Sequence, residues 1–142
     1  LWPMDLWDGY PGERQQILEY LDLASTLNPI ILTGDIHSNW AADLKLDFDQ
    51  TNSKVVGSEY IGTSISSGGD GQDTTQYGEN LLSNNPHVKF YNANRGYVAT
   101  TLSPKLWRAD YKVVPYITRK GAPINIRKTF VTEAGRPGVQ EA

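Results

Sequence analysis

The stretch Ile30-Ile31-Leu32-Thr33-Gly34-Asp35-Ile36-His37-Ser38-Asn39-Trp40 runs from an apolar segment straight into a carboxylate and an imidazole two positions apart. Carboxylate oxygen and imidazole nitrogen are ligands for hard to borderline cations. At a strand end they would open onto the crevice where α/β sheets place their chemistry. Side chains two apart in an extended segment share a face, so Asp35 and His37 could grip one ion and serve its catalysis. The same residues also read as a plain strand exit, because Gly-Asp suits a turn and Asp can accept from the backbone that follows. Two ligands do not hold a metal, and spacing leaves both readings open. Asn39 could donate or ligate near the same site, or cap a turn. Trp40 reads as a packing residue.

The remaining candidates each have a structural alternative. Ser64-Ile65-Ser66-Ser67-Gly68-Gly69-Asp70-Gly71 could cradle an anion with successive N–H groups. It lacks the lysine and spacing of a nucleotide loop, and a flexible surface loop is the expectation. Arg95-Gly96-Tyr97 could present a guanidinium to a phosphate or form a hairpin tip. His87, after Asn84-Asn85-Pro86, is expected to be structural or solvated, and Asp8 sits in a turn that wants an Asp for backbone reasons. No G-x-S-x-G elbow occurs.

These groups need elements to position them. From Glu13, the residues Ile17, Leu18, Leu21, Ala24 and Leu27 recur at helical spacing. Asn28-Pro29 should end that helix, since Pro disfavours α geometry just before it. The Pro- and Gly-rich opening, Leu1 to Gly12, should be irregular. Pro29 to Asp35 reads as a short, fully buried strand. Leu44, Leu46 and Phe48 alternate with Lys45, Asp47 and Asp49, predicting a half-buried strand. Further strands are expected over 59–65, 88–92, 97–102, 106–117 and 124–132, all rich in Thr, Val, Tyr and Ile. Residues 76–84 suggest a helical turn or two, and the tail over 134–142 is expected to fray. The expected fold is therefore α/β (α+β): one amphipathic helix, one buried strand, then mostly antiparallel strands, as one domain over 1–133.

Composition narrows the function classes. The 142 residues carry 13 Lys and Arg against 16 Asp and Glu, a net charge of −3. No run of like charge exceeds two residues, which argues against a nucleic-acid track or a basic membrane face. There is no cysteine, hence no disulfide frame or thiolate site, and no apolar run reaches the roughly 18–20 residues of a membrane span. Leu1 is neither an initiator methionine nor part of a signal peptide, so the chain is expected to be a piece of something longer.

Taken in order, Trp7-Asp8-Gly9-Tyr10-Pro11, Leu32-Thr33-Gly34-Asp35-Ile36-His37-Ser38-Asn39-Trp40, Gly57-Ser58-Glu59-Tyr60 with the loop 64–71, Asn85-Pro86-His87-Val88-Lys89-Phe90, Arg95-Gly96-Tyr97-Val98 and Trp107-Arg108-Ala109-Asp110-Tyr111 resemble the PhoD-like alkaline phosphatases. These belong to the calcineurin-like metallophosphoesterases. The resemblance implies the C-terminal portion of a four-layer fold, with a pair of mixed sheets flanked by helices. It implies that Gly34-Asp35-Ile36-His37 is the last metal-binding block, with Asp35 and His37 ligating different ions of a calcium and iron (Ca2+ and Fe3+) cluster. Asn39 and Arg95 become candidate substrate contacts. The remaining ligands, including a cysteine, would lie N-terminal to Leu1. That missing half of the catalytic domain becomes an expected partner, beside a phosphomonoester or phosphodiester substrate. Secretion to the periplasm or cell wall by the twin-arginine route is implied as well. The isolated chain is expected to be inert and prone to self-association. A non-catalytic, β-rich secreted module, for instance one binding glycans through its four Trp and eight Tyr, is the alternative.

Overall fold

The computed structural model describes residues 6–24 and 28–142. A 3-10 turn, Trp7–Gly9, leads into helix α1, Pro11–Leu23. Strands β1 (Ile30–Thr33), β2 (Asn39–Lys45) and β3 (Val55–Ile61) precede helix α2 (Gln76–Asn84). Five strands complete the chain: β4 (Val88–Asn92), β5 (Arg95–Leu102), β6 (Leu106–Val114), β7 (Asn125–Glu133) and β8 (Arg136–Glu141). The expected positions Leu1 to Asp5 and Leu27 lie outside the described residues.

The strands form two four-stranded sheets, in the orders β1-β3-β2-β4 and β5-β6-β7-β8. Among the described residues only β1 with β3 is parallel. The α/β expectation with mostly antiparallel strands is met. Pleating sends Ala41, Tyr60 and Phe90 of the first sheet against Ala109, Tyr111 and Phe130 of the second, and these residues form the core. Trp40 and Tyr91 point the other way, toward the helices, with ring centroids 4.6 Å apart. On that side α2 runs so close to β4 that a Cβ at Gly78 would lie 2.1 Å from the Tyr91 ring. Thr75 caps α2, its Oγ1 accepting from the Gly78 N–H at 2.9 Å.

A polar knot joins the sheets inside this apolar core. Thr132 Oγ1 donates to the Gly138 carbonyl at 2.9 Å, and the hydroxyls of Ser58 and Tyr60 lie 3.0 and 2.9 Å from it. The Ser58 hydroxyl accepts from the Gly138 N–H, and Asp43 Oδ1 accepts from the Val139 N–H at 2.7 Å. Burial without such partners would cost each group several kcal/mol, on the order of 1–3. The tail expected to fray is therefore corrected: residues 136–141 are an ordered strand fastened to both sheets. It carries no apolar period because Val139 alone packs against the apolar core, beside a glycine and the polar pairs just described.

Three other expectations are also corrected. The strand expected over residues 44–49 lies earlier, at Asn39–Lys45. Beyond it Lys45 Nζ turns back onto the carbonyls of Gln50 and Thr51, and Asp47 Oδ1 accepts from the Asp49 N–H. That turn chemistry overrides the apolar alternation, and Phe48 packs on His87 instead. Strand β1 is not fully buried; it is an edge strand that ends at Thr33, with Leu32 60 % exposed. Helix α1 ends at Leu23 rather than Asn28, and it buries only Leu18, leaving Tyr20 and Leu23 69 % and 81 % exposed. Asn28 instead adopts a left-handed conformation, and its amide bridges the Glu133 carbonyl and the Gly135 N–H, each at 2.6 Å.

Candidate metal centre

Between β1 and β2 the chain makes a tight bend, Gly34 to Ser38. The Ile36 N–H returns to the Gly34 carbonyl at 2.9 Å, closing a three-residue turn. Asp35 and His37 both have left-handed backbones, with φ of 69° and 55°. The extended geometry behind the shared-face expectation is thus corrected: these side chains are presented by a bend, not by a pleat. Asp and His tolerate this region better than most residues, yet each such residue costs about 1–3 kcal/mol and needs outside support. Such strain clusters where function requires it.

The support comes from the strand that follows. The Ser38 hydroxyl accepts from the Trp40 indole at 2.7 Å, and Ser38, Asn39 and Trp40 are all buried. Asp35 and His37 are exposed beside them. Among the described residues no hydrogen bond or ion pair engages the Asp35 carboxylate or the His37 imidazole. The donor set therefore suits a hard or borderline cation. No group of three or more His, Asp or Glu residues that could hold an ion occurs among the described residues, so the bend presents two ligand-type side chains without a closed site among them.

Asn39 and Arg95, the expected substrate contacts, lie inside the protein, 0 % and 7 % exposed. Asn39 Oδ1 accepts from the Thr63 N–H at 3.2 Å, and its Nδ2 donates to Asn92 Oδ1 at 3.2 Å. Arg95 Nη1 donates to the His37 carbonyl at 2.6 Å. Its Nε and Nη2 reach the carbonyls of Gly69 and Gly68 at 2.9 and 3.2 Å. Their polar atoms are thus committed to other parts of the fold. His87 is structural, half-buried against the Phe48 ring, and burial first, then Lys45, pushes its imidazole below the usual range.

The loop expected to be flexible is pinned along its length. Besides Arg95, the Asp70 carboxylate accepts from the N–H groups of Ile117 and Thr118 at 2.7 and 2.9 Å and from the Thr118 hydroxyl. A Cβ at Gly71 would lie 2.2 Å from the Ala93 carbonyl, and its φ is 75°. Glycine is therefore required there. The carbonyls of Gly68 and Gly69 aim at Arg95 and so oppose an anion cradle at those positions. Asp73 closes the loop with a two-pronged pair to Arg127 at 2.5 and 2.8 Å and a bond from Asn92 Nδ2 at 2.9 Å.

Those hydrogen bonds, led by Arg127, hold the Asp73 carboxyl below its usual pKa. A folded pKa below the unfolded one stabilises fully above the ordinary carboxylate range, and that stabilisation is lost as pH falls through the folded value. Asp73→Asn should therefore lower the melting temperature most above about pH 5, with the gap to wild type closing toward pH 2. Parallel melting curves across that range check this; a gap that stays constant with pH would exclude the linkage.

A family description, PhoD-like phosphatase, matches residues 2–111. Alkaline phosphatase D of Bacillus subtilis (strain 168) is 42 % identical over 141 residues, 99 % of this chain but 24 % of that protein. A solved structure titled "Structure of PhoD" superposes with a TM-score of 0.90 at 42 % identity, over 97 % of this chain and 26 % of that one. The chain thus spans about a quarter of the length of the relatives it matches. No helix among the described residues is long and apolar enough to cross a membrane. With two ligand-type side chains on a strained bend and this likeness along nearly its whole length, the chain belongs to the PhoD-like phosphatase family and corresponds to its C-terminal part.

Proposed function

We propose that this chain is the C-terminal segment of a secreted, metal-dependent phosphomonoesterase and phosphodiesterase, and that Asp35 and His37 are its contribution to a calcium and iron centre. The observation that carries this reading is the bend at Gly34–Ser38, where two exposed ligand-type side chains stand on left-handed backbones. Such ions, when bound, activate a water or oxide and neutralise charge on the phosphoryl oxygens. Asp35 supplies a hard oxygen and a negative charge to the centre, and His37 supplies a nitrogen lone pair. The buried Ser38–Trp40 segment holds both side chains in register while substrate enters. Twin-arginine export belongs to the same proposal.

The remaining ligands belong to the N-terminal part of the catalytic domain, the partner this chain requires. Supporting that, among the described residues β1 is an edge strand, and Tyr20, Leu23 and Leu32 are exposed apolar side chains that a seam with such a partner would cover. A second copy of the chain suits the same seam when that partner is absent. Of the Trp and Tyr side chains that could have lined a glycan groove, Trp40, Tyr60 and Tyr111 are buried in packing while Trp7, Tyr10, Tyr20, Tyr77 and Tyr97 are exposed. The likeness to phosphatases along nearly the whole chain is what favours the enzyme over a glycan-binding module.

The full-length protein should hydrolyse bis(p-nitrophenyl) phosphate with calcium and iron supplied and lose that activity to a chelator. The isolated 142-residue chain should show no turnover above background in the same assay. Turnover by the isolated chain at the full-length rate would overturn the proposal.

A further inference from the structure

Arg95 opens β5 directly behind the Asp35–His37 bend, and its burial is unusual for a charge. Among the described residues no carboxylate pairs with it; its guanidinium donates to three backbone carbonyls, those of His37, Gly68 and Gly69. A buried cation is costly without partners, and here the partners are peptide groups of two separate loops. One of those loops carries the left-handed His37, a conformation that its own sequence does not enforce. A planar fork of donors can bridge three carbonyls at fixed angles, whereas an ammonium acts as a point charge on a flexible stem. Gly68, with φ of 83°, lets this happen: a Cβ there would lie 3.0 Å from Arg95 Nη2. The glycine loop is itself anchored by Asp70 and Asp73. The chain of fixation therefore runs from the second sheet, through the glycine loop and Arg95, to the His37 peptide.

We infer that Arg95 is a positioning residue: it clasps the His37 carbonyl to the glycine loop and so aims the His37 imidazole, without touching the phosphoryl group. The inference rests on the reading of Asp35 and His37 as metal ligands. Its test uses the full-length protein carrying Arg95→Lys, Arg95→Met or Gly68→Ala. Bound metal is measured by plasma mass spectrometry, with kcat and KM for bis(p-nitrophenyl) phosphate and inhibition by inorganic phosphate. Outer-shell groups that orient a ligand are worth about 10–100-fold in metal affinity or activity. Both Arg95 variants should lose kcat and metal affinity in that range, with KM and phosphate inhibition within about twofold of wild type. Gly68→Ala, which disturbs only the far end of the clasp, should move the same quantities less, and it decides the matter if the Arg95 variants do not fold. Added guanidinium should restore part of the Arg95→Met turnover.

A rise in KM and a loss of phosphate inhibition, with kcat and metal unchanged, would make Arg95 a substrate contact and overturn the inference. Unchanged metal and kinetics in all three variants would overturn it too. Asp35→Asn and His37→Asn run alongside separate the two levels. If these also keep full metal and turnover, the ligand reading itself fails; if they lose both while the Arg95 and Gly68 variants do not, only the clasp fails.

Discussion

Asp35→Asn and His37→Asn in the full-length protein should each lower metal-dependent turnover by more than about 100-fold, beyond the usual effect of outer-shell groups, while leaving the fold intact. Asparagine is the informative replacement because of the backbone. Both positions are left-handed, a region in which Asn is among the most tolerant non-glycine residues. Alanine would confound lost ligation with added backbone strain, whereas Asn keeps the bend and changes the donor. Asp35→Asn removes the negative charge that a hard cation prefers; His37→Asn removes the imidazole nitrogen. Asp35→Gly makes a sharper contrast still, since glycine relieves the strain outright. Its melting temperature should equal or exceed that of wild type even as activity is lost, the expected trade where strain serves function. Bound metal, kcat and melting temperature measured together decide the matter. Wild-type metal content and turnover in Asp35→Asn or His37→Asn would remove that residue from the metal centre.

The elements that could be read from sequence were those whose limits are local. Strand β4 falls at Val88–Asn92, as expected, because Asn84-Asn85-Pro86 fixes its start and a short apolar run fixes its body. The chemical types of Asp35 and His37 were equally visible, since a carboxylate and an imidazole at a strand exit are rare enough to notice. The left-handed bend that presents them was not. No residue within the segment compels it; the Arg95 guanidinium holding the His37 carbonyl comes from 58 positions away. For the same reason Arg95 and Asn39 read as candidate substrate contacts: a buried arginine satisfied by carbonyls leaves no periodic trace in its own neighbourhood. Edge position is likewise invisible. An apolar run such as Ile30-Ile31-Leu32 reads alike in the middle of a sheet and at its edge. Strand β8 escaped notice because Val139 is the one side chain it packs against the apolar core, and the Gly138 and Val139 backbones bond to Ser58, Thr132 and Asp43, a largely polar solution that hydrophobic patterning cannot register.

Phe130→Ala should be the most damaging single truncation in the core, at about 3–5 kcal/mol. Phe130, on β7, has its ring centroid 5.4 Å from Phe90, on β4, and 6.0 Å from Tyr111, on β6, which it meets nearly edge-on at 85°. Phe90 and Tyr111 are themselves 4.9 Å apart, so the three rings form one contact across the two sheets. Removing Phe130 leaves a void that neither neighbour can fill by rotation. Phe90 is fixed by its place in β4, and the Tyr111 hydroxyl is bound to the Trp40 carbonyl. The cavity therefore persists and adds to the lost transfer energy. The consequence reaches the Gly34–Ser38 bend, because Trp40 sits two residues beyond Ser38 and its carbonyl is bound by Tyr111. Against a typical domain stability of about 5–15 kcal/mol, the change is large but survivable in the full-length protein. Urea unfolding should show a lower midpoint with an unchanged slope, and Leu102→Ala, at an exposed position on β5, should stay within about 0.5 kcal/mol. Equal midpoints for Phe130→Ala and Leu102→Ala would mean that the rings do not hold the sheets together.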